Sequence, residues 1–193
     1  MQPTDNKIEL YKQLIDGCKK NNRESQKKMY DLLSSKMFGV CLRYVKDREI
    51  AEDLLQEGFV KIFTNIEKFR GEGSFEGWAR RIFVNTAIEA YRKSTKMYPI
   101  VNLESAEHFE GELVYNDTLE LEDLMKLIHG LSPGYRTVFN LYVIEGYSHK
   151  EIAELLQISE GTSKSQLARA RYLLQDLITA NEKGTKQNEA IAK

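Results

Sequence analysis

Apolar residues in this chain recur at three- and four-residue spacings, and no run alternates with period two. That spacing lines side chains up on one face of an α-helix, whereas a half-buried strand needs strict alternation. Prolines, which would interrupt such helices, stand only at positions 3, 99 and 133. The pattern predicts an all-α protein. Its expected parts are a helical domain over 1–96, a linker over 97–121, a second helical domain over 122–180 and a polar tail. The tail, 181–193, NEKGTKQNEAIAK, has no apolar period and is expected to fray.

Charge sets the linker apart. The chain carries 28 basic and 29 acidic residues, a net charge of −1. Between Met97 and Met125, however, stand eight acids (Glu104, Glu107, Glu110, Glu112, Asp117, Glu120, Glu122 and Asp123) and no Lys or Arg. Outside that stretch 28 basic residues face 29 less 8, or 21, acidic ones, a balance of +7. A near-neutral total thus hides a basic protein with an acidic insert, an asymmetry that accompanies nucleic-acid binding by the basic parts. A solvated acidic loop beside ordinary surfaces is the plain alternative.

Several classes are disfavoured. No stretch approaches the roughly 20 apolar residues of a membrane span. The N-terminus, MQPTDNKIELYKQL, lacks a basic region followed by an apolar run, so no secretory signal is expected. Cys18 and Cys41 lie far apart and outside any CxxC spacing. Neither a disulfide framework nor a zinc site is expected, and a reducing cytoplasm is the natural setting.

In the first domain Ala51, Leu54, Leu55, Gly58, Phe59, Ile62, Phe63 and Ile66 form one apolar stripe, with Glu52, Asp53, Gln56, Glu57 and Lys61 on the other faces. The segment FRGEGSFEGW, Phe69 to Trp78, follows. Its glycines predict a tight connection, and Ser74 is placed to cap the next helix. That helix is expected to bury Phe75, Trp78, Ala79, Ile82, Phe83 and Thr86, turning Arg81, Asn85, Arg92 and Lys93 elsewhere.

The second domain has the sharper signal. Ser132-Pro133 reads as an N-cap with proline at the first helical position, opening a helix through Val138, Leu141 and Tyr142 to Gly146. Ser148-His149-Lys150-Glu151 has the form of a capping box, and the short helix after it packs through Ile152, Ala153 and Leu156. Ser159 can cap a third helix, in which Leu167, Ala170, Leu174 and Leu177 share one arc. Gly161, Lys164, Ser165, Ala168 and Arg169 fall opposite, with Arg171 on a flank. Between Gly161 and Gln175 lie three basic residues and no acid.

Two short helices joined by a tight turn, the second basic and small-faced, are what a helix-turn-helix requires. Small residues admit the helix to the major groove, while Lys and Arg reach phosphates and base edges. A capped helical hairpin with a solvated basic face is the competing reading. Gln157 occupies the turn position where glycine adopts a positive φ most easily, at a cost of about 1 kcal/mol.

Two segments together resemble the extracytoplasmic-function (ECF) branch of the bacterial sigma factors. They are AEDLLQEGFVKIFTNIEKFRGEGSFEGWARRIFVNTAIEAYRK, from Ala51 to Lys93, and LSPGYRTVFNLYVIEGYSHKEIAELLQISEGTSKSQLARARYLL, from Leu131 to Leu174. They look like that family's regions 2 and 4, in the right order. The resemblance implies a factor that binds core RNA polymerase and directs it to promoters. It assigns Asp53, Leu54, Gln56 and Glu57 to the polymerase contact, although Leu54 also fits the core. It assigns Phe69, Arg70, Gly71, Ser74, Arg81, Asn85, Arg92 and Lys93 to the −10 element, where an extruded base needs a snug pocket, stacking and edge hydrogen bonds. Thr162, Lys164, Ser165, Arg169 and Arg171 match the helix that reads the −35 element.

Ser163 and Gln166 stand where many relatives have an aliphatic and a basic residue, and Glu89 where Asp is frequent. These departures bear on which promoter is read. Relatives are commonly held by an anti-sigma protein, so such a partner is expected here too; no small-molecule substrate or cofactor is. The rival reading is a DNA-binding regulator that never meets polymerase, with the first domain as a sensor. An enzyme fits less well. His108, His129 and His149 are dispersed, no phosphate-cradling glycine loop appears, and His149-Lys150-Glu151 has no PCxxC after it to complete a deaminase site.

Overall fold

A computed structural model describes residues 3–97 and 121–191, with side chains over 7–95 and 124–179. The acidic residues between 98 and 120, and Pro99 with them, lie outside the described residues. In chain order the helices are α1 (Pro3–Lys19), α2 (Arg23–Tyr44), α3 (Arg48–Asn65), α4 (Phe75–Met97), α5 (Leu121–Gly130), α6 (Pro133–Phe139), α7 (His149–Leu156) and α8 (Glu160–Ile191). A 3-10 turn, Ile66–Lys68, follows α3, and a π turn, Asn140–Ile144, extends α6. Among the described residues there is no strand, and the protein is all-α. It divides into two compact units, Met1–Ala90 and Tyr91–Lys193.

In the first unit, polar side chains mark where helices start. Asn22 Oδ1 accepts the Ser25 amide at 2.9 Å at the head of α2. Asp47 caps α3 through the amides of Glu49 and Ile50, at 2.7 and 3.3 Å. Ser74 Oγ accepts the Gly77 amide at 3.1 Å and opens α4, the role its position predicted. Before it, Gly71 and Gly73 take φ of +79° and +89°, left-handed values that a side chain would strain.

The core joins Met29, Leu33 and Met37 of α2, the Ala51–Ile62 stripe of α3, and Phe75, Ala79, Phe83, Ala87 and Ile88 of α4. Phe63, Trp78 and Ile82, expected inside, are only half-buried. Trp78 sits at the rim beside Phe69, whose ring centroid is 5.5 Å from its own.

The second unit holds a helix that periodicity did not single out. Leu127 of α5 and Leu131 just after it pack against Ala170 and Leu174 of α8, with Tyr135, Phe139 and Leu177 at the edge. Glu122 and Asp123, counted above with the acidic insert, belong to the first turn of α5. Ser132 precedes Pro133 as expected but makes no side-chain capping bond. The helix it opens does reach residue 144, yet ends in π geometry, with the Glu145 amide bonding back five residues to the Asn140 carbonyl at 3.0 Å. Gly146, at φ +78°, then turns the chain.

α7 opens with a full capping box. Ser148 Oγ accepts the Glu151 amide at 3.3 Å, and Glu151 Oε2 accepts the Ser148 amide at 2.8 Å. Gln157 takes φ +58°, ψ 44°, the strained conformation its position implied. Ser159 Oγ caps α8 by accepting the Thr162 amide at 2.9 Å. The tail is a correction: the backbone stays helical to Ile191 rather than fraying from 181. No proline follows Pro133, and Glu, Lys, Gln and Ala are good helix formers.

Candidate functional site

Three surfaces carry the residues singled out above. On α3, Asp53, Gln56 and Glu57 are exposed on neighbouring turns. Leu54 is not with them. At 3% exposure it belongs to the core, where no partner reaches it without opening the helix packing. Two residues that apolar periodicity passed over do share the outer side. Ile50 is 48% exposed and Val60 63%, in the i, i+3, i+7, i+10 row with Asp53 and Glu57. Their signal was an apolar residue off the buried stripe.

Glu57 also pairs with Lys61 at 2.8 Å, and Lys61 reaches across to α4, to Glu89 at 2.8 Å and Thr86 Oγ1 at 3.2 Å. Burial alone would lower the Lys61 pKa, but its hydrogen bonds to Glu57 and Glu89 outweigh it and raise the value. Glu89 thus anchors two helices together.

The second surface is the loop before α4. The Phe69 ring meets Phe75 edge-on, centroids 5.2 Å apart at 84°, and Trp78 lies 5.4 Å from Phe75. Half-buried Phe69 and Trp78 therefore form the floor of an aromatic corner, while Arg70 and Gly71 to Ser74 are exposed around it. The Ser74 hydroxyl is already engaged as a cap. Arg81 and Lys93 are exposed along α4; Asn85 and Arg92 are half-buried. Ten residues separate Phe75 from Asn85, roughly 15 Å along the helix axis.

The third surface is the outer face of α8. Ser163, Leu167, Ala170 and Leu174 are buried on its inner side, and Gly161, Lys164, Ser165, Ala168, Arg169 and Arg171 are exposed. Lys164 lies 3.8 Å from Glu160, a loose surface pair worth little. Arg169 rests over the Tyr172 ring at 5.3 Å and Arg171 over Tyr142 at 5.7 Å. Thr162 is half-buried, its hydroxyl 2.8 Å from that of Ser159, so it serves the cap. Ser163 and half-buried Gln166 turn inward, away from the exposed side. Tyr172, 59% exposed beside Arg169, was not anticipated.

Residues 29–97 match the family described as sigma-70 region 2, and residues 121–174 match sigma-70, region 4. The chain is 33% identical over 172 residues to the ECF RNA polymerase sigma-E factor of Haemophilus influenzae, covering 81% of this chain and 90% of that one. It belongs to the ECF RNA polymerase sigma factors. Sigma factor SigW of Bacillus subtilis is 30% identical, with 86% and 95% covered. Among solved structures, the sigma factor RpoE of Bartonella quintana, crystallised with the anti-sigma factor NepR, is 25% identical with a TM-score of 0.49, over 79% of this chain and 96% of that one.

As an ECF sigma factor the protein acts in promoter-specific transcription initiation by RNA polymerase. Its region 2 match takes in α2, α3 and α4, and so both the α3 surface and the aromatic corner. Its region 4 match runs from α5 through the basic face of α8.

Proposed function

We propose that the three surfaces divide the work of initiation: the exposed row of α3 holds core polymerase, the loop and α4 read the −10 element, and the outer face of α8 reads the −35 duplex. The sorting of α8 carries this reading. Exposed Lys164, Ser165, Arg169 and Arg171 stand over wholly apolar Leu167 and Ala170, behind a capped left-handed turn at Gln157. A helix so held offers cations and small residues to a groove.

On α3 the contact falls to Asp53, Gln56 and Glu57, with Ile50 and Val60 supplying apolar area, and Leu54 supports them from beneath. At the corner, a base extruded from the duplex stacks against Phe69 or Trp78 while Arg70 meets backbone phosphate. Asn85, with one amide donor pair and one acceptor, reads the edge of that extruded base. Arg81, Arg92 and Lys93 neutralise phosphates.

The functional boundaries follow the surfaces: polymerase and −10 recognition in 1–96, an acidic connector over 97–121, −35 recognition in 122–180. The connector's six acids are suited to occupying a channel built for nucleic acid. An anti-sigma protein that covers both units is the partner family membership suggests. Among the described residues no helix is long and apolar enough to cross a membrane, and we place the protein in the cytoplasm with the polymerase.

The test is run-off transcription with the purified chain, core polymerase and genomic promoter fragments. Discrete transcripts that depend on the chain, and that vanish when the −35 duplex is replaced, support the reading. Neither transcripts nor comigration with core polymerase would leave the stand-alone regulator as the better account.

A further inference from the structure

Ser163 is the odd residue on the inner face of α8: its neighbours there are Leu167 and Ala170, yet it is a hydroxyl at 0% exposure. A buried hydroxyl needs a partner. Its partner is His149 at the first position of α7, with Nδ1 2.9 Å from Ser163 Oγ. The His149 ring in turn stacks on Tyr142 of the π turn, centroids 4.5 Å apart and planes at 26°. Arg171 lies over that same Tyr142 ring. The contacts therefore leave α8 at Ser163, cross α7 and the π turn, and return to α8 at Arg171.

Ser163 and Arg171 are eight residues apart, roughly 12 Å along the axis. Two anchors at that distance fix the rotation of α8 about its own axis as well as its tilt. Rotation is what matters for reading DNA, because each residue advances the face by about 100°. A base contact made by a forked guanidinium tolerates little misplacement.

We propose that His149 is a positioning residue for promoter recognition: through Ser163 and Tyr142 it sets how the outer face of α8 meets the −35 duplex, without itself touching DNA. This rests on the reading of α8 given above. It also accounts for the serine at 163, which pairs inward with the histidine.

The test uses holoenzyme assembled from the full chain and core polymerase, on a promoter active with the wild type, in two forms: with its own −35 duplex and with an unrelated one. The ratio of the two outputs is the readout. His149→Ala is expected to cut that ratio by roughly five- to a hundred-fold, the range for a buried group left unpaired, while comigration with core polymerase stays at the wild-type level. Ser163→Ala should lose less, because the half-buried imidazole can turn to water, and the double variant should lose no more than His149→Ala alone. His149→Asn, whose amide sits near the Nδ1 position, should recover most of the ratio; His149→Gln, which reaches instead towards the Nε2 position, should not.

An unchanged ratio in His149→Ala overturns the proposal, and so does rescue by Gln but not Asn, which would mark a direct contact from Nε2. If His149→Ala fails to fold, Ser163→Ala and His149→Asn carry the comparison. A wild-type ratio of one is a separate outcome: it removes the −35 reading of α8, and this inference with it.

Discussion

The Glu76 carboxylate accepts a hydrogen bond from the Tyr11 hydroxyl at 2.7 Å across 65 residues of chain, tying α1 to the first turn of α4. Lys7 joins the same carboxylate at 2.7 Å and Lys36 of α2 at 3.3 Å. One acid thus gathers three helices.

Those partners predict an acid-sensitive first unit. The hydrogen bonds from Lys7 and then Tyr11 hold the Glu76 carboxyl down at about 2, against 4.5 for an ordinary glutamate. A depressed carboxylate stabilises the fold above its unfolded pKa, and that contribution is lost as the pH falls from about 4.5 towards 2. The cluster is partly solvated, so the loss is expected to be modest, on the order of 1 kcal/mol. Glu76→Gln should lower the melting temperature at pH 7 and reduce its fall on acidification. Parallel melting curves for variant and wild type down to pH 3 would contradict the assignment.

Gly58 is a second pressure point. A Cβ there would clash with the ring of Phe83, which itself meets Phe59 edge-on at 5.4 Å. Gly58→Ala therefore forces α3 and α4 apart and should destabilise the first unit by about 1–3 kcal/mol, despite alanine's better helix propensity. Thermal denaturation measures this directly. A stabilised variant would mean that Phe83 can swing clear.

Gln157 runs the other way. Its φ of +58° strains a side chain that glycine lacks. Gln157→Gly should stabilise the second unit by about 0.5–1 kcal/mol, the relief being partly offset by glycine's greater freedom when unfolded. Urea denaturation is the measurement; a loss of stability would show that the turn holds Gln157 by something other than backbone geometry.

Much of this was legible because it is local. Ser148 and Glu151 are three residues apart, as are Ser74 and Gly77, so caps can be read directly. The α3 stripe follows from helical period alone. What escaped depends on distance. Glu122 and Asp123 looked like part of an acidic insert because only the packing of Leu127 and Leu131 on α8 makes α5 a helix worth having. The π turn at Asn140 has no local signature, and Ser163 cannot be understood without His149, fourteen residues earlier. Leu54 resembled a contact residue by family position, but at 3% exposure it belongs to the core, which only the packed fold reveals.

The face of α8 predicts two different losses. Arg169→Ala or Lys164→Ala should weaken −35 binding by about 1–3 kcal/mol where the side chain reads a base, and relax selectivity at that base. A side chain that meets only phosphate should instead weaken all sequences alike and lower the salt dependence by about one ion. Binding of holoenzyme to single-base −35 variants at several salt concentrations separates these. No loss by either measure would remove α8 as the reading helix.

On the proposed division of work, the α3 row and α4 should fail independently. Asp53→Ala is expected to weaken comigration with core polymerase, by about 1 kcal/mol or more if its carboxylate is desolvated at the contact, and to leave promoter preference intact in the holoenzyme that still forms. Asn85→Ala should do the reverse, relaxing −10 selectivity while core binding holds. The two changes are expected to add in the double variant. Leu54→Ala gives the contrast: at 3% exposure its loss opens a core cavity, costing about 2–5 kcal/mol of stability rather than a contact. A Leu54→Ala protein that melts like wild type yet no longer binds core polymerase would return that side chain to the interface, and with it the orientation of α3.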